Sequence, residues 1–195
     1  MNTLRHFMLA ACLLAFTSTS AVHAAEPLQT VPSVDLKRYQ GRWYQIAYYP
    51  NVFQKQCVGN TTADYRQLMT GQIEVTNRCS TADGGVSQVI GAARVKPPKF
   101  LGVPVAQGTD TAKLEVRFAP SFLAWLNAVW APYWVIQLAE DYRYVVVGEP
   151  QREYLWILSR TPVLSPADRA AIELKLVEQG YDVSRLKDEP QSGVR

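Results

Sequence analysis

Along most of the chain, apolar and polar residues alternate in short segments that end at turn-forming residues. Alternation with a period of two is typical of a β-strand with one buried face. Gly and Pro clusters such as Asp83-Gly84-Gly85 mark the turns between segments. The alternating segments lie at residues 43–49, 59–68, 72–79, 86–95, 112–118, 133–138 and 143–148, and in a last segment that ends near Arg160.

Eight short strands joined by turns predict an all-β fold. No convincing long helix interrupts them, so consecutive strands are expected to pair as an antiparallel meander. If the first and last strands meet, the sheet closes into an eight-stranded up-and-down β-barrel without a free edge. A barrel of that size encloses room for one small ligand, so we expect the function to lie in its interior.

One α-helix is predicted after the last strand. Ser165 is a good N-cap, Pro166 suits the first helical position, and Gly180 is a natural stop. An apolar face needs a surface to cover, so we expect the helix to pack against the outside of the barrel. The residues expected on that face are Ala167, Ala170, Leu174, Val177 and Tyr181.

Residues 1–24 have the parts of a secretory signal peptide: a positive start, an apolar run at 7–16, and a small-residue cleavage site at 21–24. The sequence therefore predicts export. The residues around Cys12 also resemble a lipoprotein box, in which that cysteine is acylated and holds the protein on a membrane. The alternative is that Cys12 is one apolar residue of the signal peptide.

Removal of the signal peptide takes away the only two histidines, His6 and His23. A mature chain without imidazole has no Ser-His or Cys-His base and no histidine metal ligand. We therefore predict no catalytic residue, no metal site and no cofactor. Two cysteines remain, Cys57 and Cys79, and in an exported chain they are expected to form a disulfide.

Charge and composition narrow the choice of partner. The formal net charge is +3 and no basic run stands out, so we do not expect a nucleic-acid partner. The ten Tyr, five Trp and six Phe suit an apolar cavity, although they suit any well-packed β core equally.

Three short motifs follow one another along the chain at the ends of predicted strands. Gly41-Arg42-Trp43 begins the first strand, Asp141-Tyr142 lies in the turn after the sixth strand, and Arg160 ends the last strand. With eight strands and a trailing helix, the chain resembles the lipocalin family over residues 34–188. Within that family it is similar to the bacterial outer-membrane, apolipoprotein D-like members, chiefly at the segments around Gly41 and Arg160.

The resemblance implies structural roles for these motif residues. Trp43 would plug the closed end of the barrel, next to Gly41, and Arg160 would stack its planar cation on the indole. Asp141 and Tyr142 would cap the same end by hydrogen bonds.

Alternation from Trp43 and Arg160, together with the family likeness, assigns the inward-facing side chains, although a β-bulge would reverse any of them. This lining is apolar and aromatic without an obvious buried charge, which suits an acyl chain with its polar headgroup near the mouth. The residues expected to line the calyx and bind the ligand are Ala47, Tyr49, Ala63, Tyr65, Val75, Asn77, Ala93, Val116, Phe118, Tyr133, Val135, Tyr154 and Trp156.

The same topology puts Cys57, Cys79 and the segment at residues 119–132 at the open mouth. We call that segment the apolar loop. It has no charged residue and carries Phe122, Trp125, Leu126 and Trp130. It could form a lid over the cavity, contact a membrane surface or a second copy in a homodimer, or fold back onto the barrel exterior.

The resemblance implies a non-enzymatic carrier that binds, transports or stores a fatty acid or lysophospholipid in the bacterial envelope for membrane maintenance. The expected location is the periplasm, with attachment to the outer membrane if Cys12 is lipidated. One alternative is a lipocalin-fold isomerase with a cysteine nucleophile. Another is an interaction protein that uses the apolar loop. Residues 189–195 are predicted to be a flexible tail.

Overall fold

The computed structural model describes residues 26–192 apart from 70, 97–98, 101–102 and 105–109. The predicted signal peptide, including Cys12, lies outside the described residues, as do residues 193–195.

Strands dominate the described chain. They are β1 (Gly41–Tyr48), β2 (Cys57–Gln67), β3 (Ile73–Thr81), β4 (Val86–Val95), β5 (Lys99–Phe100), β6 (Val103–Pro104), β7 (Lys113–Arg117), β8 (Ala131–Leu138), β9 (Tyr144–Gly148), β10 (Leu155–Ser159) and β11 (Lys187–Asp188). The helices are α1 (Leu36–Tyr39), α2 (Pro166–Glu178) and the short 3-10 turns Val52–Gln54, Ser121–Leu123, Asn127–Val129 and Val183–Arg185. None of the helices in the described ranges is long and apolar enough to cross a membrane.

Eight antiparallel strands close into the predicted barrel. The order is β1, β2, β3, β4, β7, β8, β9 and β10, and β10 pairs with β1 to complete the circle. Strands β5 and β6 form a separate two-stranded hairpin between β4 and β7. Because successive strands run in opposite directions from the start of β1, one end of the barrel carries α1. The opposite end, which we call the mouth, carries the apolar loop.

The barrel is completed near its mouth by the chain that follows α2. Strands β1 and β2 pair only as far as Tyr44 and Thr62, and β11 pairs farther along β1 with Ala47 and Tyr48. The backbone N–H of Glu189 then donates to the Ile46 carbonyl at 2.8 Å, and Asn60 N–H donates to the Pro190 carbonyl at 2.7 Å. The predicted flexible tail therefore does not begin at residue 189, because these residues bridge the opening between two strands.

Helix α2 packs against the outside of the barrel, as predicted, but through a different face. Its buried residues are Ile172 and Leu176, whereas Leu174 and Val177 of the predicted face are exposed. The helix has apolar residues on several sides, so their spacing alone allowed either of two faces to be buried. The barrel wall covers the face with Ile172 and Leu176, which lie one helical turn apart.

A bulge in β1 corrects two of the predicted lining residues. Gln45 lies opposite Leu158 in β10, but Ala47 lies opposite Ile157, so two steps on β1 match one step on β10. Beyond the bulge the side chains exchange faces. Ala47 and Tyr49 therefore pack under α2, in the cluster that contains Ile172 and Leu176, and do not line the interior.

Candidate functional site

The closed end of the barrel is sealed by the stacked pair Trp43 and Arg160. Trp43 is 0% exposed, and the Arg160 guanidinium carbon lies 3.8 Å from its ring centroid. The same guanidinium donates to the carbonyls of Arg42 and Arg38, at 2.9 and 2.6 Å. A side chain at Gly41, where φ is +90°, would start 3.5 Å from the guanidinium. This stack of Arg160 on Trp43 is the arrangement that the motif predicted. Both hydrogen bonds of the guanidinium reach backbone carbonyls.

Asp141 and Tyr142 lie in the turn between β8 and β9 at the same end. The Tyr142 hydroxyl accepts a hydrogen bond from the backbone N–H of Asp35 at 2.8 Å, which ties α1 to the barrel. Asp141 stays exposed, and the backbone N–H of Arg143 donates to its carboxylate, which lowers its pKa. Tyr142 therefore holds the closed end, while Asp141 orders the turn.

A tyrosine triad forms the floor of the interior. The Tyr133 hydroxyl lies 2.7 Å from those of Tyr39, in α1, and Tyr65. All three rings are buried. Burial raises the pKa of Tyr65 to about 12 and raises the pKa values of Tyr39 and Tyr133 well above that of free tyrosine. The three groups are therefore neutral hydroxyls at physiological pH.

Above this floor, the structure brings together most of the predicted lining residues. One continuous interior cluster contains Ala63, Tyr65, Val75, Ala93, Tyr133 and Val135, and Val116 and Trp156 pack against it from the partly buried wall. This wall is apolar, as alternation predicted, and it arises from every strand of the barrel except β1 beyond its bulge.

Asn77 is a polar exception in the lining. It alternates with Val75 along β3 and pairs with Ala63 across the sheet, so it faces the interior. Its side-chain Oδ1 is buried and has no hydrogen-bond partner among the described residues. A buried acceptor without a partner costs free energy, and a ligand that donates a hydrogen bond would remove that cost.

Aromatic side chains lie at the mouth. Tyr154 stacks on Trp156 with ring centroids 6.0 Å apart, and Phe53 lies 5.7 Å from Tyr154. Phe118, which was predicted to line the interior, is 40% exposed and rests on Gly91 instead. The reason is that β4 and β7 pair only through Ala92–Val95, so the wall ends just below Phe118.

Sequence reasoning missed a buried polar cluster beside the mouth half of β1. The Thr61 backbone N–H and hydroxyl donate to the Glu189 carboxylate, at 3.1 and 2.5 Å, and Gln45 donates to it at 3.2 Å. Gln54 donates to Gln45 at 2.9 Å and accepts from the Trp156 indole at 3.1 Å. Strand alternation could not find Glu189, because this residue comes from the segment after α2, to which the alternation does not apply.

Cys57 and Cys79 form the predicted disulfide, with their Cα atoms 5.5 Å apart. Cys57 begins β2 and Cys79 lies near the end of β3, so the bond joins these neighbouring strands at the mouth. Both sulfurs are used by this bond, which removes the two candidate nucleophiles of the isomerase alternative.

The apolar loop divides into a buried and an exposed part. Trp130 is 8% exposed and stacks outside the barrel on Arg94, whose guanidinium carbon lies 3.9 Å from the ring centroid. Phe122 and Trp125 remain 74% and 77% exposed, and Leu126 is half-buried. The end of the loop therefore folds back onto the barrel exterior, while its tip presents two aromatic rings to solvent.

Comparison with known proteins agrees with this architecture. Residues 34–191 match the family described as the Lipocalin-like domain. Temperature-induced lipocalin-1 of Arabidopsis thaliana is 37% identical over 166 residues, covering 85% of this chain and 83% of that protein. Outer membrane lipoprotein Blc of Escherichia coli is 32% identical over 182 residues, covering 92% and 93%. Apolipoprotein D of Mus musculus is 32% identical over 167 residues, covering 81% and 77%.

The solved structures share the fold at lower identity. Insecticyanin from the tobacco hornworm Manduca sexta superposes with a TM-score of 0.61 at 20% identity, and the match covers 84% of each chain. The lobster apocrustacyanin A1 structure gives 0.58 at 18% identity, covering 80% of this chain and 79% of that one. Because the family match spans most of the sequence and several relatives exceed 30% identity over most of their length, the chain belongs to the lipocalin family.

Proposed function

We propose that this lipocalin binds a small lipid in the barrel interior and transports or stores it in the bacterial cell envelope. The observation that carries the proposal is the buried Oδ1 of Asn77, which has no hydrogen-bond partner among the described residues and lies in an otherwise apolar interior wall. Apolar walls favour an acyl chain by burial, at about 0.8 kcal/mol per CH₂ group. A sealed floor and an aromatic mouth support entry from one end.

Within the expected ligand class, Asn77 favours a lysophospholipid over a fatty acid. An amide oxygen accepts a hydrogen bond, and the glycerol hydroxyl of a lysophospholipid can donate one. The carboxylate of a fatty acid has no proton to donate near neutral pH.

Competition for a fluorescent probe tests both parts of the proposal. The neutral probe N-phenyl-1-naphthylamine should bind the protein and be displaced by lysophosphatidylethanolamine and by palmitate. Asn77→Leu should weaken lysophosphatidylethanolamine by roughly threefold to tenfold, the effect of one neutral hydrogen bond, and leave palmitate unchanged. Asn127→Leu, at an exposed asparagine, is the matched control. A protein that binds neither the probe nor either lipid would overturn the carrier proposal.

The carrier role is proposed as non-enzymatic, since the mature chain has no histidine and both of its cysteines are in the disulfide. The proposed location rests on the names of the relatives. Several of them are named outer membrane lipoproteins, which supports export of this chain and a site of action at the envelope membrane. The exposed tip of the apolar loop supports a membrane surface as the place where the lipid is loaded.

A further inference from the structure

A pocket lies on the outer wall of the barrel, away from the interior. Its volume is about 330 Å³, at the lower end of the sizes that hold small ligands, roughly 300–1,000 Å³. It is open to solvent on one side and is bounded by β3, β4 and the first residues of the apolar loop. The side chains that matter for its chemistry are Leu68, Glu74, Ile90, Ala92, Arg117 and Phe118.

The strand register shows that this pocket faces outward. Arg117 pairs with Ala92 across β7 and β4, and Ala92 pairs with Glu74 across β4 and β3. The neighbouring residues Val116 and Ala93 belong to or pack on the interior cluster. Since successive residues of a strand face opposite sides, Arg117 lies on the outer face.

Arg117 is a buried cation in this wall. The side chain is only 7% exposed, and one of its terminal nitrogens donates to the Ala119 carbonyl. Its Nε is buried without any hydrogen-bond partner within the described part of the chain. Burying a guanidinium with an unused donor is unfavourable unless an acceptor or an opposite charge is supplied.

The nearby carboxylates are already paired with other arginines. Glu115 lies 2.9 Å from Arg94, and Glu74 lies 2.8 Å from Arg66. No carboxylate among the described residues lies within ion-pair distance of Arg117. The Trp130 ring is shared between Arg94, at 3.9 Å, and Arg117, at 5.3 Å. The pocket therefore holds one positive charge that no carboxylate in the described part of the chain balances.

We propose that this outer-wall pocket binds the anionic head of a single-chain amphiphile, with a carboxylate or phosphate monoester oxygen on Arg117. An arginine presents planar donors that match both anions. Leu68, Ile90, Ala92 and Phe118 give the first carbons of an acyl or alkyl chain apolar surface to cover. Glu74 also borders the pocket, and its ion pair with Arg66 limits its repulsion of an anion. The site is outside the barrel and does not rest on ligand binding in the interior.

Calorimetric titration of the full mature chain tests this site separately from the interior. The interior is first saturated with N-phenyl-1-naphthylamine, and the protein is then titrated with octanoate, octyl phosphate and the uncharged octanol. We expect the two anions to bind and octanol to bind at least about tenfold more weakly, because a charge-assisted hydrogen bond is lost. Whichever anion binds more tightly identifies the headgroup class.

Arg117→Met should weaken the anions by about tenfold or more while leaving the affinity for N-phenyl-1-naphthylamine unchanged. Arg42→Met is the control, since Arg42 is an exposed arginine on β1, paired with Asp64. Should Arg117→Met fail to fold, Ile90→Trp fills the pocket from an exposed position and should also weaken the anions. Anion binding that survives both substitutions, or no anion binding to the unaltered protein, overturns the proposal. If the unaltered protein does not bind N-phenyl-1-naphthylamine at all, that result would instead contradict the carrier function.

Discussion

Arg160 performs three tasks at the closed end: it covers the Trp43 indole and donates to two backbone carbonyls. We predict that Arg160→Met lowers the free energy of unfolding by roughly 1–3 kcal/mol, because the cation–π contact and both donors are lost. Arg160→Lys should recover little of it, since an ammonium lacks the planar fork. Urea unfolding measures the change. Equal stability of the three proteins would show that the stack does not contribute.

The tyrosine triad is expected to lower the free energy of unfolding at alkaline pH. In the unfolded chain these hydroxyls ionise near the free-tyrosine value of 10.0, whereas burial holds Tyr65 protonated up to about 12. The folded state then binds more protons than the unfolded state at high pH, so stability falls as pH rises from about 10 towards 12 and is unaffected by the triad below that window. Urea unfolding at a series of pH values should show a shallower fall for Tyr65→Phe. A fall of the same steepness in Tyr65→Phe would refute this assignment.

Residue-level reasoning from the sequence succeeded where strand alternation is regular and failed at Ala47 and Tyr49. The bulge after Gln45 exchanges the faces, and no glycine or proline in β1 after Gly41 signals it. Phe118 was misplaced because the β4–β7 pairing stops one residue earlier, which is a property of two strands together.

The segment after α2 acts as part of the barrel. Strand β11 and Glu189 occupy the gap where β1 leaves β2, and the carboxylate collects donors from Thr61 and Gln45. No sequence pattern predicted this, because a two-residue strand has too few positions to show a period.

We predict that Glu189→Ala lowers the free energy of unfolding by roughly 2 kcal/mol or more, because buried donors of Thr61 and Gln45 lose their acceptor. Lys187→Ala is the control, since Lys187 is an exposed residue of the same segment. Chemical denaturation compares the two variants. A similar small effect of both would mean that the segment only lies on the surface.

For the whole molecule, exposed aromatic groups are concentrated at the mouth. Phe53, Phe122 and Trp125 lie there, together with exposed aliphatic residues such as Val86. Rings of this kind are favoured at a membrane interface, where one side stays wet and the other is apolar. The mouth is therefore the end that we expect to approach a membrane.

We predict that Phe122→Ser combined with Trp125→Ser greatly reduces sedimentation of the mature protein with lipid vesicles. Val163→Ser is the matched control: Val163 is 77% exposed, as Trp125 is, but follows β10 at the opposite end. Equal sedimentation of the variants and the unaltered protein would contradict membrane contact. Sedimentation velocity in the absence of vesicles shows whether the protein is a homodimer. If the apolar loop forms the dimer contact, the same double substitution should dissociate it.

The barrel itself could be predicted from sequence because alternation, turns and three ordered motifs all indicate the same closed sheet. The interior lining followed from it wherever Trp43 and Arg160 set the register. The free Asn77 acceptor, the Glu189 cluster and the Arg117 guanidinium, which has no ion-pair partner among the described residues, could not be predicted. Each feature depends on whether a hydrogen-bond or ion-pair partner is absent or comes from a distant part of the sequence. The alternation of apolar and polar residues along one strand does not contain that information.

Native mass spectrometry of the protein, purified gently from its own cells, tests whether the barrel carries a lipid-like ligand. We predict a co-purifying adduct of lipid mass that fragments as a lysophospholipid or fatty acid and is displaced by added lysophosphatidylethanolamine. An unliganded mass that persists after incubation with lysophospholipids and fatty acids would contradict it.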